Sequence, residues 1–222
     1  MDEPILNAPS YEIYEFFPKD FFKKEVNEEF IKLVMEQVFP KGIWVKGNPN
    51  LFEPDYFLNK SPFEFTIASN KKKKGNFIIQ LKTGEYKSEN VENDTFSYIE
   101  HQIKTKAEKK YSTKNVHLCI LCLLDRLQWV SDTYGSYTHF ITDVSREQFF
   151  NKIKNEYIDT GKFRNIFIIF PDIAASWWVW DVLSNHKIRL QLLDSQIQSK
   201  KYPFFVIKNI YDEIFGETCN KS

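Results

Sequence analysis

Hydrophobic positions change their spacing several times along the chain, and each change marks an element. From residue 19, Phe22, Val26, Phe30, Leu33, Val34 and Val38 recur at steps of three and four as far as Phe39, which predicts an amphipathic helix stopped by Pro40 and Gly42. Residues 43–46 form a short apolar strand, and 47–51 a turn-rich loop. Residues 53–66, Glu-Pro-Asp-Tyr-Phe-Leu-Asn-Lys-Ser-Pro-Phe-Glu-Phe-Thr, predict a hairpin with arms at 55–58 and 63–68 and a four-residue turn at 59–62. After Lys71, Lys72, Lys73 and Lys74, residues 76–82 predict a further strand, and 84–94 a polar loop. Phe96, Ile99, Ile103, Ala107 and Tyr111 then give a narrow stripe on a helix of about four turns, with Ser97 and Glu100 spaced as a capping box.

The run at 116–124, Val-His-Leu-Cys-Ile-Leu-Cys-Leu-Leu, is apolar on both alternations and predicts a central strand covered on both faces. A short strand at 138–142, a helix at 144–157 and a buried strand at 165–170 follow. Residues 172–183, with Trp177, Trp178 and Trp180, are assigned to a helix whose tryptophans pack, with base stacking as the use of an exposed one. A strand at 203–208 and a helix at 209–215 end the pattern. Residues 1–18 read as an arm, and no internal repeat or long linker divides 1–222, so a single domain of mixed α/β class is expected.

Composition refines this picture. Phe 21, Tyr 11 and Trp 5 predict a dense aromatic core, and 30 basic against 30 acidic residues exclude a uniformly basic coat, leaving room for a local patch. Cys119, Cys122 and Cys219 make no disulfide framework, and the beginning Met-Asp-Glu-Pro lacks a secretory pattern, so a cytoplasmic protein is expected. No apolar run approaches the roughly 20 residues a membrane helix needs. Cys119 and Cys122 have CxxC spacing, but positions three apart on a strand point to opposite faces, so they read as buried thiols rather than a zinc or redox pair. His117 reads as a core or edge residue.

The candidate chemistry lies on the hairpin. In the predicted register, Asp55, Phe57, Glu64 and Thr66 share one face, with the two carboxylates as diagonal neighbours at roughly 5–8 Å, close enough to share one hard divalent cation. A solvated acidic face is the plainer reading of the same residues. Glu25, Glu28, Glu29 and Glu36 on the first helix read as a solvated face, with the alternative that one leans toward a metal. Gln102 and Lys106, four apart, border the stripe of the second helix where it meets the sheet, with Lys110 one turn on.

Helix, meandering strands with acids on two of them, amphipathic helix, buried strand: over residues 20 to 125 this succession resembles the PD-(D/E)XK nuclease superfamily, the restriction-endonuclease-like fold. The residues that carry the resemblance are Pro54-Asp55, Glu64-Phe65-Thr66 and the helix over 99–111. It implies a restriction-endonuclease-like core with added C-terminal strands and helices, and hydrolysis of DNA by a Mg²⁺-dependent endonuclease, with Mn²⁺ as a substitute. Asp55 and Glu64 would be the metal ligands. Thr66 stands where that family usually carries a lysine, and the resemblance offers Lys106 with Gln102, or Lys82, in its place; Lys82 serves only if its strand pairs so that it lies opposite Glu64. Lys71 to Lys74 read as a solvated loop tip or, with Lys110, as phosphate contacts; DNA is the expected partner and a homodimer a further expectation. A nuclease fold without catalysis, acting as a DNA-binding or protein-interaction module, is the alternative that Thr66 favours.

Overall fold

The computed structural model describes residues 13–16, 20–21, 23–69, 71–72, 75–76, 95–123, 143–172, 176–191 and 204–207. It is a mixed α/β fold built on a seven-stranded mixed sheet. Helix α1 (Lys24–Val38) precedes strands β2 (Trp44–Lys46), β3 (Tyr56–Leu58) and β4 (Ser61–Ser69). Helix α2 (Thr95–Ala107) leads to β7 (His117–Leu123), and α3 (Asp143–Ile153), continued by a π turn at Lys154–Ile158, leads to β8 (Asn165–Asp172). Strands β9 (Ser176–Asp181) and β10 (His186–Gln191) complete the sheet in the order β10-β9-β8-β7-β4-β3-β2. The β4–β7 and β7–β8 ladders are parallel and the others antiparallel.

Two β-α-β crossovers therefore step the same way across the sheet, from β4 through α2 to β7 and from β7 through α3 to β8. Crossovers of one hand stepping one way place their helices on one face. Ile99 and Ile103 of α2 and Phe149, Phe150 and Ile153 of α3 indeed share a core with Leu118, Ile120, Cys122, Ile166 and Ile168. The opposite face is covered by α1, whose Phe30, Ile31, Val34 and Met35 pack on Phe63, Phe65, Cys119, Leu121, Phe167 and Trp177. β7 lies in the middle of the sheet, and Cys119 and Cys122 are buried in opposite cores, as strand geometry requires.

Several expectations are corrected. Residues 176–181 form β9 and not part of a helix: Trp177 and Val179 enter the α1 core while Trp178 and Trp180 face the other, a period of two hidden because both faces are covered. β10, absent from the sequence reading, pairs with β9 through a turn holding Asn185 at φ 52°. Within the arm, β1 (Ile13–Phe16) pairs antiparallel with β11 (Phe204–Ile207). Helix α2 begins at Thr95, so Ser97 lies inside it, and the Glu100 carboxylate binds Lys152 of α3 at 2.7 and 2.8 Å instead of closing a capping box.

The hairpin turn is two residues, not four. Asn59 and Lys60 take φ of 47° and 73°, the double positive φ of a type I′ loop, and the register is Leu58↔Ser61, Phe57↔Pro62, Tyr56↔Phe63. Pro62 fits because in such a hairpin its missing N–H would face away from β3. Of the strand expected at 76–82 only Asn76 is described, pairing with Lys71 in a short ladder of β5 (Lys71–Lys72) and β6 (Gly75–Asn76). Lys73, Lys74, Lys82 and the elements expected at 138–142 and 209–215 lie outside the described residues, apart from nothing more than their sequence. Among the described residues no helix is long and apolar enough to cross a membrane.

Candidate functional site

Continuing the β3–β4 register by one pair sets Asp55 directly opposite Glu64, and by two sets Pro54 opposite Phe65. Proline has no N–H to give and the ladder stops there; the Phe65 N–H donates instead to Asp55 Oδ2 at 2.8 Å. This bond turns the Asp55 carboxylate toward β4. The slip from the expected register is two residues, which preserves parity, so the extended register makes Asp55 a direct rather than diagonal neighbour of Glu64 along the backbone, while its carboxylate meets Lys24 of α1. Opposite Glu64 on its other side stands Leu118 of β7. Glu64 is thus flanked by Asp55 in the extended register and by Leu118, while Lys82 lies outside the described residues.

Because Phe63 and Phe65 point into the α1 core, Glu64 between them points to the α2 face, where it is fully buried. A buried carboxylate needs compensating charge. It receives two ammonium groups on one oxygen: Lys106 Nζ at 2.6 Å and Lys109 Nζ at 2.8 Å, both on Glu64 Oε1. Lys109 was not singled out from the sequence. Its N–H donates to the Lys106 carbonyl in the turn that ends α2, which folds its side chain back over the site; the Lys-Lys pair just beyond the stripe was the available signal. Thr66 Oγ1 donates to Gln102 Oε1 at 3.2 Å, so Gln102 pins the helix to β4 and Lys106 is the helix residue that reaches the acid. Lys110 is exposed.

Among the described residues the far carboxylate oxygen, Glu64 Oε2, and the Tyr111 hydroxyl are buried with no hydrogen bond of good geometry, and the Glu64 carboxylate is the acceptor placed toward the Tyr111 hydroxyl. Tyr111 lies beneath the Lys109 ammonium, 4.9 Å from its ring centre, and its phenol is kept protonated by burial and then by the charges of Glu64 and Asp55. At the Asp55 end, α1 contributes a third acid. Lys24 Nζ lies 3.1 Å from Glu28 Oε1 and 3.4 Å from Asp55 Oδ1. Burial, then repulsion from Asp55, raises the Glu28 pKa, with Lys24 opposing. Desolvation works against the Lys24 ammonium, yet Asp55 and Glu28 raise its pKa overall. Of the four glutamates on α1, Glu28 is therefore the one that turns inward, while Glu29 takes the hydroxyl of Tyr56.

These residues suit a hard divalent cation. Glu64 Oε2 makes no hydrogen bond of good geometry among the described residues, and Asp55 Oδ1 is met by the Lys24 ammonium, on a side chain that is 67% exposed, with the Glu28 carboxyl also beside Asp55. Among the described residues no group of three or more His, Cys, Asp or Glu side chains is placed to hold a metal ion. Comparison of the chain with protein-family models, with curated proteins and with solved structures gives no match.

Proposed function

We propose that the chain is a metal-dependent endonuclease that hydrolyses DNA phosphodiester bonds, of restriction-endonuclease-like fold and divergent in carrying Thr66 where the PD-(D/E)XK superfamily has its lysine. The observation that carries this reading is a fully buried Glu64, opposite Asp55 in the extended register, whose one oxygen is clasped by Lys106 and Lys109 while the other makes no hydrogen bond of good geometry among the described residues. Asp55 and Glu64 would hold the ion. Bound Mg²⁺ supplies charge neutralisation at the scissile phosphate and a water of lowered pKa.

The chain's own groups do the rest. Lys106 and Lys109 are cations set beside the carboxylates, and either ammonium can leave Glu64 Oε1 to donate to a phosphate oxygen while the other keeps Glu64 compensated. Tyr111, held as the neutral phenol, has a proton to donate, with the Glu64 carboxylate beside it as an acceptor. Lys110 adds a solvent-facing charge for the phosphate backbone. In the hydrolysis a water oxygen bonds to phosphorus, the bond to the leaving sugar oxygen breaks, and the water proton passes to that oxygen.

Purified protein with Mg²⁺ or Mn²⁺ is expected to cut DNA, and Asp55→Ala and Glu64→Ala to reduce cutting to background. Cutting that persists in both variants removes these residues from the chemistry. A second reading is favoured by the same ion pairs: three acids matched by Lys24, Lys106 and Lys109 form a closed charge network, as in a nuclease fold that binds DNA or protein without catalysis. Mn²⁺ decides between them, because a competent site gains about 2.7 kcal/mol of stability at a hundredfold excess over Kd, and a closed network gains none.

A further inference from the structure

The loop between β2 and β3 ends at Asp55 and is built more rigidly than its position needs. Gly47 N–H donates to the Asp55 carbonyl at 2.9 Å and closes its base. A Cβ on Gly47 would stand 1.9 Å from the Pro54 carbonyl oxygen, so only glycine permits that approach. Inside, Asn48 Oδ1 accepts from Asn50 N–H at 3.0 Å, Glu53 Oε2 accepts from Asn48 N–H at 2.7 Å, and the Asn48 carbonyl accepts from Leu51 N–H at 3.1 Å. These bonds hold a single turn at Pro49–Leu51, and the residue after it, Phe52, is left-handed at φ 55°.

That conformation is ordinary for glycine and disfavoured for an aromatic residue. The ring gains nothing from the fold in exchange, since Phe52 is 69% exposed, beside Leu51 at 58%. A strained residue held by its surroundings with its side chain in water points to a use outside the fold. Its place suggests which. Ser112 N–H donates to the Phe52 carbonyl at 3.0 Å, tying the loop to the segment that carries Lys109 and Tyr111 into the site, with Lys110 and Lys114 exposed on either side of Ser112. The cores of protein interfaces are depleted in lysine, whereas an exposed aromatic ring on a loop tied to a lysine-bearing segment offers what a single nucleic-acid strand requires: phosphates for the cations and a base for the ring.

We propose that Phe52 is a stacking platform for an unpaired base, so that the site takes DNA presenting a single strand beside the scissile bond. This rests on the nuclease reading for its substrate but is read out by binding alone. Fluorescence anisotropy of a labelled single-stranded DNA oligonucleotide, and of a duplex of equal length, is measured with the whole chain in EDTA, where nothing is cut. Phe52→Gly, which suits the left-handed backbone, is expected to keep or raise the melting temperature. It should weaken single-strand binding by about ten- to a hundredfold and change duplex binding by less than about twofold. Phe52→Trp restores the single-strand affinity. Equal single-strand affinity of Phe52→Gly and the unsubstituted chain overturns the proposal, as does an unsubstituted chain with no affinity for the single strand. A dimer that Phe52→Gly dissociates, in a chain that binds no single strand, makes the patch a protein interface instead. Single-strand binding that depends on Phe52 without Mn²⁺-dependent cutting keeps the platform and removes the hydrolase. Cutting that depends on Asp55 and Glu64, with Phe52→Gly affinity unchanged, does the reverse.

Discussion

At the scale of single residues, Glu64 sets the terms. Removing all compensation from a buried carboxylate costs about 3–5 kcal/mol, but Glu64 has two ammonium groups on the same oxygen. Lys106→Met or Lys109→Met alone is therefore expected to lower stability by less than about 1 kcal/mol, and the double variant by about 3 kcal/mol, a non-additivity that urea denaturation measures directly. Activity should separate the two differently, since any preference between the ammonium groups for the phosphate appears in kcat of the single variants. Much of this residue-scale site could be read from sequence. Asp55, Glu64, Gln102 and Lys106 follow from strand alternation and a four-residue helical step. Lys109 does not, because it reaches Glu64 through the turn that ends α2, where no periodicity applies; nor does Glu28, whose inward lean depends on how α1 lies against the end of β3.

At the scale of elements, the hairpin shows why an incorrect register still left Asp55 and Glu64 as neighbours along the backbone. The apolar pattern fixes parity, and the turn chemistry fixes which even shift is adopted. Asn59-Lys60 lacks the glycine that usually marks a type I′ turn, and Pro62 draws the eye to a longer loop. Lys60, exposed at φ 73°, is in the wrong conformation for its side chain. Lys60→Gly is expected to raise stability by about 0.5–1 kcal/mol, or roughly 1–4 °C in melting temperature, with DNA cutting unaltered. A loss of stability would mean that the Lys60 side chain contributes more than its backbone strain costs. β9 teaches the converse: a strand buried on both faces shows no alternation, so Trp177, Trp178 and Trp180 look helical until the two cores that receive them are known.

At the scale of the whole molecule, the sheet separates two apolar cores, and His117 stands where the first of them meets the central strand. Its ring is stacked 4.5 Å from that of Phe63 and lies 6.1 Å from that of Phe167, and its Nδ1 is buried with no hydrogen-bond partner among the described residues. Burial, and after it the nearby Arg164 charge, lower its pKa to about 4, with Asp181 pulling weakly the other way. The unfolded chain binds a proton near pH 6.5, and the folded one only near pH 4. Between those values the unfolded state holds more protons, so the contribution of His117 is complete above pH 6.5 and is lost as the pH falls toward 4. The full span amounts to about 3 kcal/mol. Glu28 acts with the opposite sign: its raised pKa means that the folded state takes up a proton first, so acid favours folding there while weakening any cation held beside Asp55. His117→Phe keeps a flat ring between Phe63 and Phe167 and removes the titration. Its stability relative to the unsubstituted chain should therefore rise by about 3 kcal/mol between pH 7.5 and pH 4, as read from urea midpoints at each pH. Parallel pH profiles for the two chains would show that His117 is charged, or solvated, in the folded protein.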